Sequence, residues 1–340
     1  MRVMEITDDH RLTLTTRSIP APGPGEVLIR VHAAGVNRAD LLQVQGLYPP
    51  PHGASDLPGL EVSGVIEQFG PTPERPTAKR HSTTQPELSV GDEVLALLPG
   101  GGYAEYVTAR ADHCLPAPPK LSPVEGAGLP EVAATVVSNL LHEARMQAND
   151  TLLVHGGTGG IGSFAVQFGR ALEANVVTTV AGRDKAEVAR TLGAGYVIDH
   201  TEEDFVERIR AWRHAGVLNG GVDVVLDVVG GPYLDRNVAC LATGGRIVVI
   251  GTMRGRTGSL DLGQLMARRG RIIATTLRAR AAHDKAAIMH TVHQTVWPML
   301  ASQRLRVPVG ASFALEDAQA AHDLMRSGQH IGKIVLTVGS

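Results

Sequence analysis

The chain has 340 residues, 43% apolar and 19% charged, with a net charge of −2. That length carries two domains with cores of their own, and the near-neutral balance excludes a strong pull toward nucleic acid or a membrane surface. Two cysteines far apart, Cys114 and Cys240, exclude a zinc cluster and a disulfide scaffold and favour a reducing, cytoplasmic setting.

The start, Met1-Arg2-Val3-Met4-Glu5-Ile6, lacks the long apolar core of a secretion signal. No apolar run reaches the roughly 18 residues of a membrane span. Residues 1–122 are rich in glycine, proline and β-branched runs. Val27–Val31 and Val62–Ile66 read as strands, and Val90–Ala96 as a turn into a third, which predicts a compact β-rich domain. Residues 71–89 are polar and proline-rich and read as a long surface loop.

From Leu121 the texture changes. Apolar runs at 151–155, 175–180, 196–198, 222–228, 246–251 and 271–277 alternate with helical patterns. Six strands joined by crossover helices predict a doubly wound parallel sheet of Rossmann type over 123–303. A long helix is expected near 284–302, with Ile288, Val292, Val296 and Leu300 spaced four apart. Another is expected near 315–327. The last apolar run, Ile334–Val338, has no place in a six-stranded parallel sheet. It is expected to complete the first domain, so that 304–340 joins 1–122.

Between the first two strands of the sheet stands His155-Gly156-Gly157-Thr158-Gly159-Gly160-Ile161-Gly162. A buried strand, a glycine turn and a helix opening hold a dinucleotide pyrophosphate: glycines admit backbone to phosphate, and the helix N-terminus offers unpaired N–H groups. The glycines fit Gly-x-Gly-x-x-Gly from 157 and a small-x-x-Gly-x-x-Gly form from 156; the second reads better. NAD sites place an acid at the end of the second strand. Here that end reads Ala181-Gly182-Arg183-Asp184-Lys185. Arg183 and Lys185 can donate to a 2′-phosphate, which predicts NADPH; ordinary solvated helix-start charge is the alternative.

Pro22–Ile29, Ala34–Leu41, Pro58–Gly64, Val90–Val94, Gly102–Val107 and Ile331–Leu336 resemble the medium-chain dehydrogenase/reductase superfamily along nearly the whole chain. Gln45–Pro51, Leu97–Gly102 and Thr276–Arg280 are narrower and resemble its zinc-free NADPH:quinone oxidoreductase branch, zeta-crystallin-like. The resemblance implies a GroES-like catalytic domain beside the Rossmann sheet. Zinc enzymes of this fold place a Cys near 37 and a His at 60; here stand Asn37 and Leu60, neither a zinc ligand, so no metal is expected. Without a Lewis acid the acceptor must itself be electrophilic. That predicts hydride transfer from NADPH to a quinone, or alternatively to an enone or alkenal double bond. A cofactor-binding protein recruited for a non-enzymatic task is the third reading.

The resemblance also implies roles. Tyr48 and Asn37 are the catalytic candidates, Tyr48 donating to a developing oxyanion, with packing and pocket structure as alternatives. Cofactor contacts are implied for Tyr48, Thr135, the turn Gly156, Gly157, Thr158, Gly159, Gly160, Ile161 and Gly162, then Gly182, Arg183, Lys185 and His200. Val229, Gly230, Gly251, Thr252, Met253 and Arg254 lie at strand carboxyl ends. Thr275, Thr276 and Leu277 close the sixth strand, and Lys333, Arg278 and Arg280 are cations matching the branch. Ile247–Ile250 and 271–277 are the expected homodimer strands. No nucleic-acid or membrane partner is expected, only a small quinone or activated carbonyl.

Overall fold

A computed structural model describes residues 1–71 and 86–339. The loop expected at 71–89 therefore falls mostly outside the described residues. The chain divides into two compact units: residues 1–134, 277–302 and 307–340, and residues 135–276 with 303–306.

The first unit is built on a seven-stranded sheet. Its central strand, Glu26–Val36, pairs antiparallel with Glu61–Phe69, with Tyr106–Arg110 and with the tail strand Lys333–Thr337. The last apolar run thus enters this sheet. Val27, Ile29, Val31, Ala34 and Val36 are buried, a near-continuous apolar run that suits a strand covered on both faces. A further strand, Val309–Ala314, forms parallel to the tail where only a short element was expected.

The long helix runs from Ala282 to Ala301 and groups with this first unit, although sequence order assigns it to the Rossmann region. Specific bonds hold it there. Trp297 Nε1 donates to Pro116 O at 3.1 Å, and His113 Nε2 meets Ala282 O at 2.9 Å. Its apolar stripe of Ile288, Val292 and Val296 is buried.

The second unit holds six parallel strands: β1 (Thr151–His155), β2 (Asn175–Val180), β3 (Tyr196–Asp199), β4 (Val222–Asp227), β5 (Leu241–Val249) and β6 (Arg271–Ala274). Their spatial order is 3-2-1-4-5-6, the order of the dinucleotide-binding doubly wound sheet, whose switch point lies between β1 and β4. Helices α1 (Gly160–Ala171), α2 (Arg183–Thr191) and α3 (Leu234–Cys240) follow β1, β2 and β4.

Three expectations are corrected here. β5 begins at Leu241, not 246, because the backbone passes Gly244–Gly245 with a register shift instead of breaking. β6 ends at Ala274, so Thr275, Thr276 and Leu277 follow the strand. Ile247–Ile250 is not an edge, because β5 pairs with β4 on one side and β6 on the other; only β6 offers a free edge on that side. Among the described residues, no helix is long and apolar enough to cross a membrane.

Candidate active site

In the second unit, the chain leaves β1 at His155 and enters α1 at Gly160. Each glycine of the turn answers a different demand. Gly156 has φ +75°, a conformation that suits glycine. A Cβ on Gly157 would lie 2.0 Å from Thr178 Oγ1, and one on Gly162 would lie 2.0 Å from Gly156 O. These two close the turn against β2 and the helix against the turn. Gly159 differs: a Cβ there would meet only Gly156 O, at 3.8 Å. Protein does not require glycine at 159, so the demand falls on what approaches from outside, as the middle glycine of a pyrophosphate turn does. No side chain caps α1 at Gly159, leaving its first N–H groups for an anion. Tight packing at 157 fits the form of the motif that starts there, against the preference for 156.

At the end of β2 the turn is pinned from β3. Asp199 Oδ1 accepts from Gly182 N at 2.9 Å and from Thr201 N and Oγ1. These three donors, led by Gly182 N–H, hold the Asp199 carboxyl below its usual range. Sequence reasoning missed this acid, since it stands on β3. His200 N donates to Val180 O at 3.0 Å, placing His200 beside the same turn. Arg183 is 89% exposed, with a long contact to Glu187 of 3.4 Å, a pair too solvated to fix it. Lys185, two residues further along α2, is half-buried.

Beyond β4 and β5 the two loops zip together. Met253 N donates to Val228 O and Arg254 N to Val229 O, at 3.1 and 3.0 Å. The side chains of Thr252, Met253 and Arg254 remain exposed, and Gly230 and Gly251 lie beneath them. Thr275 Oγ1 donates to Asn139 Oδ1 at 2.6 Å, while Thr276 is exposed. Thr135 is buried, and its carbonyl accepts from Asn139 Nδ2 at 2.7 Å.

The first unit holds a buried polar cluster that sequence reasoning only half found. Lys333 is 3% exposed and Glu61 0%. Lys333 Nζ donates to Glu61 Oε1 at 2.6 Å, to Asn37 Oδ1 at 2.7 Å and to Val36 O at 3.2 Å. Those bonds spend all three of its donors, so Lys333 has none left to donate to a cofactor. Asn37 Nδ2 donates to Glu61 Oε1 at 2.8 Å. Both ends of the Asn37 amide are engaged, which makes it a positioning residue instead of a catalytic one. Glu131 N donates to Glu61 Oε2 at 2.8 Å. Desolvation, then the charge of Glu61, pushes the Glu131 carboxyl up to about 8, so it is protonated at neutral pH.

Behind Asn37, Asp40 accepts from Asn37 N, Gly59 N and Tyr103 Oη, yet burial still raises it to about 6. The missed signal was a pair of acids, Asp40 and Glu61, inside otherwise apolar segments, where buried charge demands partners.

Tyr48 is half-buried, and among the described residues its hydroxyl has no hydrogen-bond partner. Arg278 is 5% exposed. Its Nε donates to Pro99 O at 2.7 Å, its Nη1 meets Tyr48 O at 3.4 Å, and its guanidinium lies 5.6 Å from the Tyr48 ring centre. Desolvation, reinforced by Glu131, raises the Tyr48 phenol despite Arg278. It is therefore a donor at neutral pH.

Zinc does not fit these residues. Leu60 is buried and offers no ligand atom, and an ammonium already sits on Glu61 beside Asn37. Among the described residues no three His, Cys, Asp or Glu side chains group to hold a metal.

A model of the alcohol dehydrogenase GroES-like domain matches residues 23–119, and a zinc-binding dehydrogenase model matches 192–336. The chain is 31% identical over 339 residues to part of a phthioceranic/hydroxyphthioceranic acid synthase of Mycobacterium bovis, with 99% of this chain covered. It spans only 15% of that synthase's length. It is 29% identical over 344 residues to a quinone oxidoreductase of Rattus norvegicus, covering 99% of this chain and 96% of the other. The structure of an Escherichia coli quinone oxidoreductase complexed with NADPH superposes with a TM-score of 0.83 at 26% identity, covering 99% of each chain.

Proposed function

Because the chain belongs to the medium-chain dehydrogenase/reductase superfamily, we propose that it is an NADPH-dependent, metal-free reductase of quinones. The observation that carries the reading is Tyr48: a protonated phenol with no hydrogen-bond partner among the described residues, held beside a buried arginine, in a unit whose described residues do not fit zinc. The likeness to a rat quinone oxidoreductase and to a bacterial one complexed with NADPH supports it.

Bound NADPH supplies the hydride. The second unit's residues bind and orient the dinucleotide: the open face of Gly159 and the uncapped end of α1 take the pyrophosphate, and Arg183 takes the 2′-phosphate. The first unit's residues hold the acceptor. Tyr48 Oη donates to the acceptor oxygen on which negative charge develops. Arg278 fixes the Tyr48 loop through its bond to Tyr48 O and adds positive charge nearby. Hydride addition to a quinone yields an aromatic, delocalised anion, so one hydrogen-bond donor suffices where a plain ketone would need a Lewis acid. The likeness to the structure of a 2-haloacrylate reductase, at 27% identity and a TM-score of 0.79, supports a second reading on the same groups, reduction of a conjugated enone or alkenal.

A cytoplasmic setting and a homodimer paired through β6 complete the proposal. The two free, buried cysteines and the open β6 edge support them.

Tyr48→Phe is expected to lower quinone turnover about tenfold or more, the worth of one donor to a developing charge, with NADPH affinity unchanged. Steady-state kinetics beside a fluorescence titration checks this; unchanged kcat removes Tyr48 from the chemistry. Arg183→Ala is expected to lower kcat/KM for NADPH about tenfold, the value of one charge-assisted contact, and to leave NADH unaffected. Equal use of both cofactors by the unsubstituted enzyme would sink the 2′-phosphate assignment.

A further inference from the structure

His155, at the end of β1, is 1% exposed and has no part in the chemistry proposed above. Its partners define a single path. Asn237 Nδ2, on α3, donates to Asp227 Oδ2 at 3.1 Å, which turns the Asn237 carbonyl toward His155. His155 Nε2 meets that Oδ1 at 2.8 Å and so carries the proton. Burial depresses the imidazolium to about 4, keeping the ring neutral. With its one proton on Nε2, Nδ1 is an acceptor, and the Thr179 hydroxyl donates to it at 3.0 Å. At the far end, Asp227 Oδ1 accepts from Val229 N at 2.6 Å and Gly230 N at 3.2 Å. Thr179, Asn237 and Asp227 are all at most 2% exposed. The rings of Phe205 and Tyr233 stand edge-on to the imidazole, with centroids 5.0 and 4.9 Å away, and lock its orientation.

The path joins the carboxyl ends of three adjacent strands. Thr179 is near the end of β2, His155 ends β1, and Asp227 ends β4, and β2, β1 and β4 are neighbours. From these ends leave the glycine turn, the Gly182–Lys185 turn and the Val229–Gly230 turn. A buried, fully paired network holds one arrangement, because any partner left alone carries its full desolvation cost.

We propose that His155 is a positioning residue, which through Thr179, Asn237 and Asp227 holds in mutual register the three turns that receive the dinucleotide. The consequence for NADPH rests on the functional reading above; the network itself does not.

Two readouts separate them. In the cofactor-free protein, Thr179→Val removes one hydroxyl with little change of shape. Amide hydrogen exchange at Val229 and Gly230, on the other side of His155, is expected to quicken about tenfold, and Thr179→Ser to restore it. Unchanged exchange in Thr179→Val overturns the proposal, as does an equal gain in Thr179→Ser. The NADPH Kd, by fluorescence titration, is expected to rise about tenfold in Thr179→Val and in Asn237→Leu and to stay within about twofold in Thr179→Ser. Quinone KM at saturating NADPH is expected to hold. Should Asn237→Leu not fold, Thr179→Val decides alone. An unsubstituted protein that binds no NADPH refutes the functional reading, and the exchange experiment still tests the network.

Discussion

Lys333→Met is expected to destabilise the first unit by about 3–5 kcal/mol, the cost of stripping the partner from a buried charge. Glu61, with no exposed surface, would be left with only Asn37 Nδ2 and Glu131 N as partners. At roughly 2–4 °C per kcal/mol for chains of this class, calorimetry should record a fall in Tm on the order of 10 °C. The double variant Lys333→Met with Glu61→Gln should recover much of that loss, because a neutral pair removes the unpaired charge. A cofactor-binding lysine would behave otherwise: stability would hold and NADPH affinity would drop. The experiment thus decides between the role implied by resemblance and the one the geometry gives.

The second large effect separates two glycines of one turn. Gly159→Ala is expected to weaken NADPH about 100-fold, since a methyl would occupy the face that receives phosphate. Stability should change by about 1 kcal/mol or less, because φ at Gly159 is −73° and a Cβ there meets no protein atom closely. Gly162→Ala should do the reverse in its primary effect: its Cβ would stand 2.0 Å from Gly156 O, costing about 1–3 kcal/mol of stability. Equal loss of stability in both variants would mean the turn is packing alone.

Much of the fold was legible in the sequence, for physical reasons that differ by element. The strands β1 and β4 carry the apolar runs Leu152–Val154 and Val224–Leu226, as buried parallel strands do, and were found within a residue or so of their ends. The tail strand was placed by exclusion, and its pairing to Gly35 and Ala34 follows. The boundaries of β5 and β6 were missed because glycine and threonine near a strand end look alike whether the ladder continues or stops. The grouping of helix Ala282–Ala301 was missed because it depends on contacts of Trp297 and His113 with residues far away in sequence.

At the candidate site, the glycine turn was readable since its constraint is local. The buried cluster was not, because a lysine at 333 and a glutamate at 61 show their pairing only once the tail strand lies beside the central one. Asn37 was expected at the chemistry, and its amide is engaged with Glu61 and Lys333. His155 was not marked either: its partners Thr179 and Asn237 stand 24 and 82 residues away, Asp227 is reached only through Asn237, and none carries a mark of its own.

The central claim is hydride transfer from NADPH to a quinone with no metal. Single-turnover oxidation of NADPH by excess 1,4-benzoquinone, in protein exhaustively treated with a zinc chelator, tests it most directly. One hydroquinone is expected per NADPH, with full activity after chelation and a slower reaction when deuterium replaces the transferred hydrogen at nicotinamide C4. NADPH oxidation no faster than the protein-free background, or activity lost to the chelator and restored by Zn2+, would contradict it.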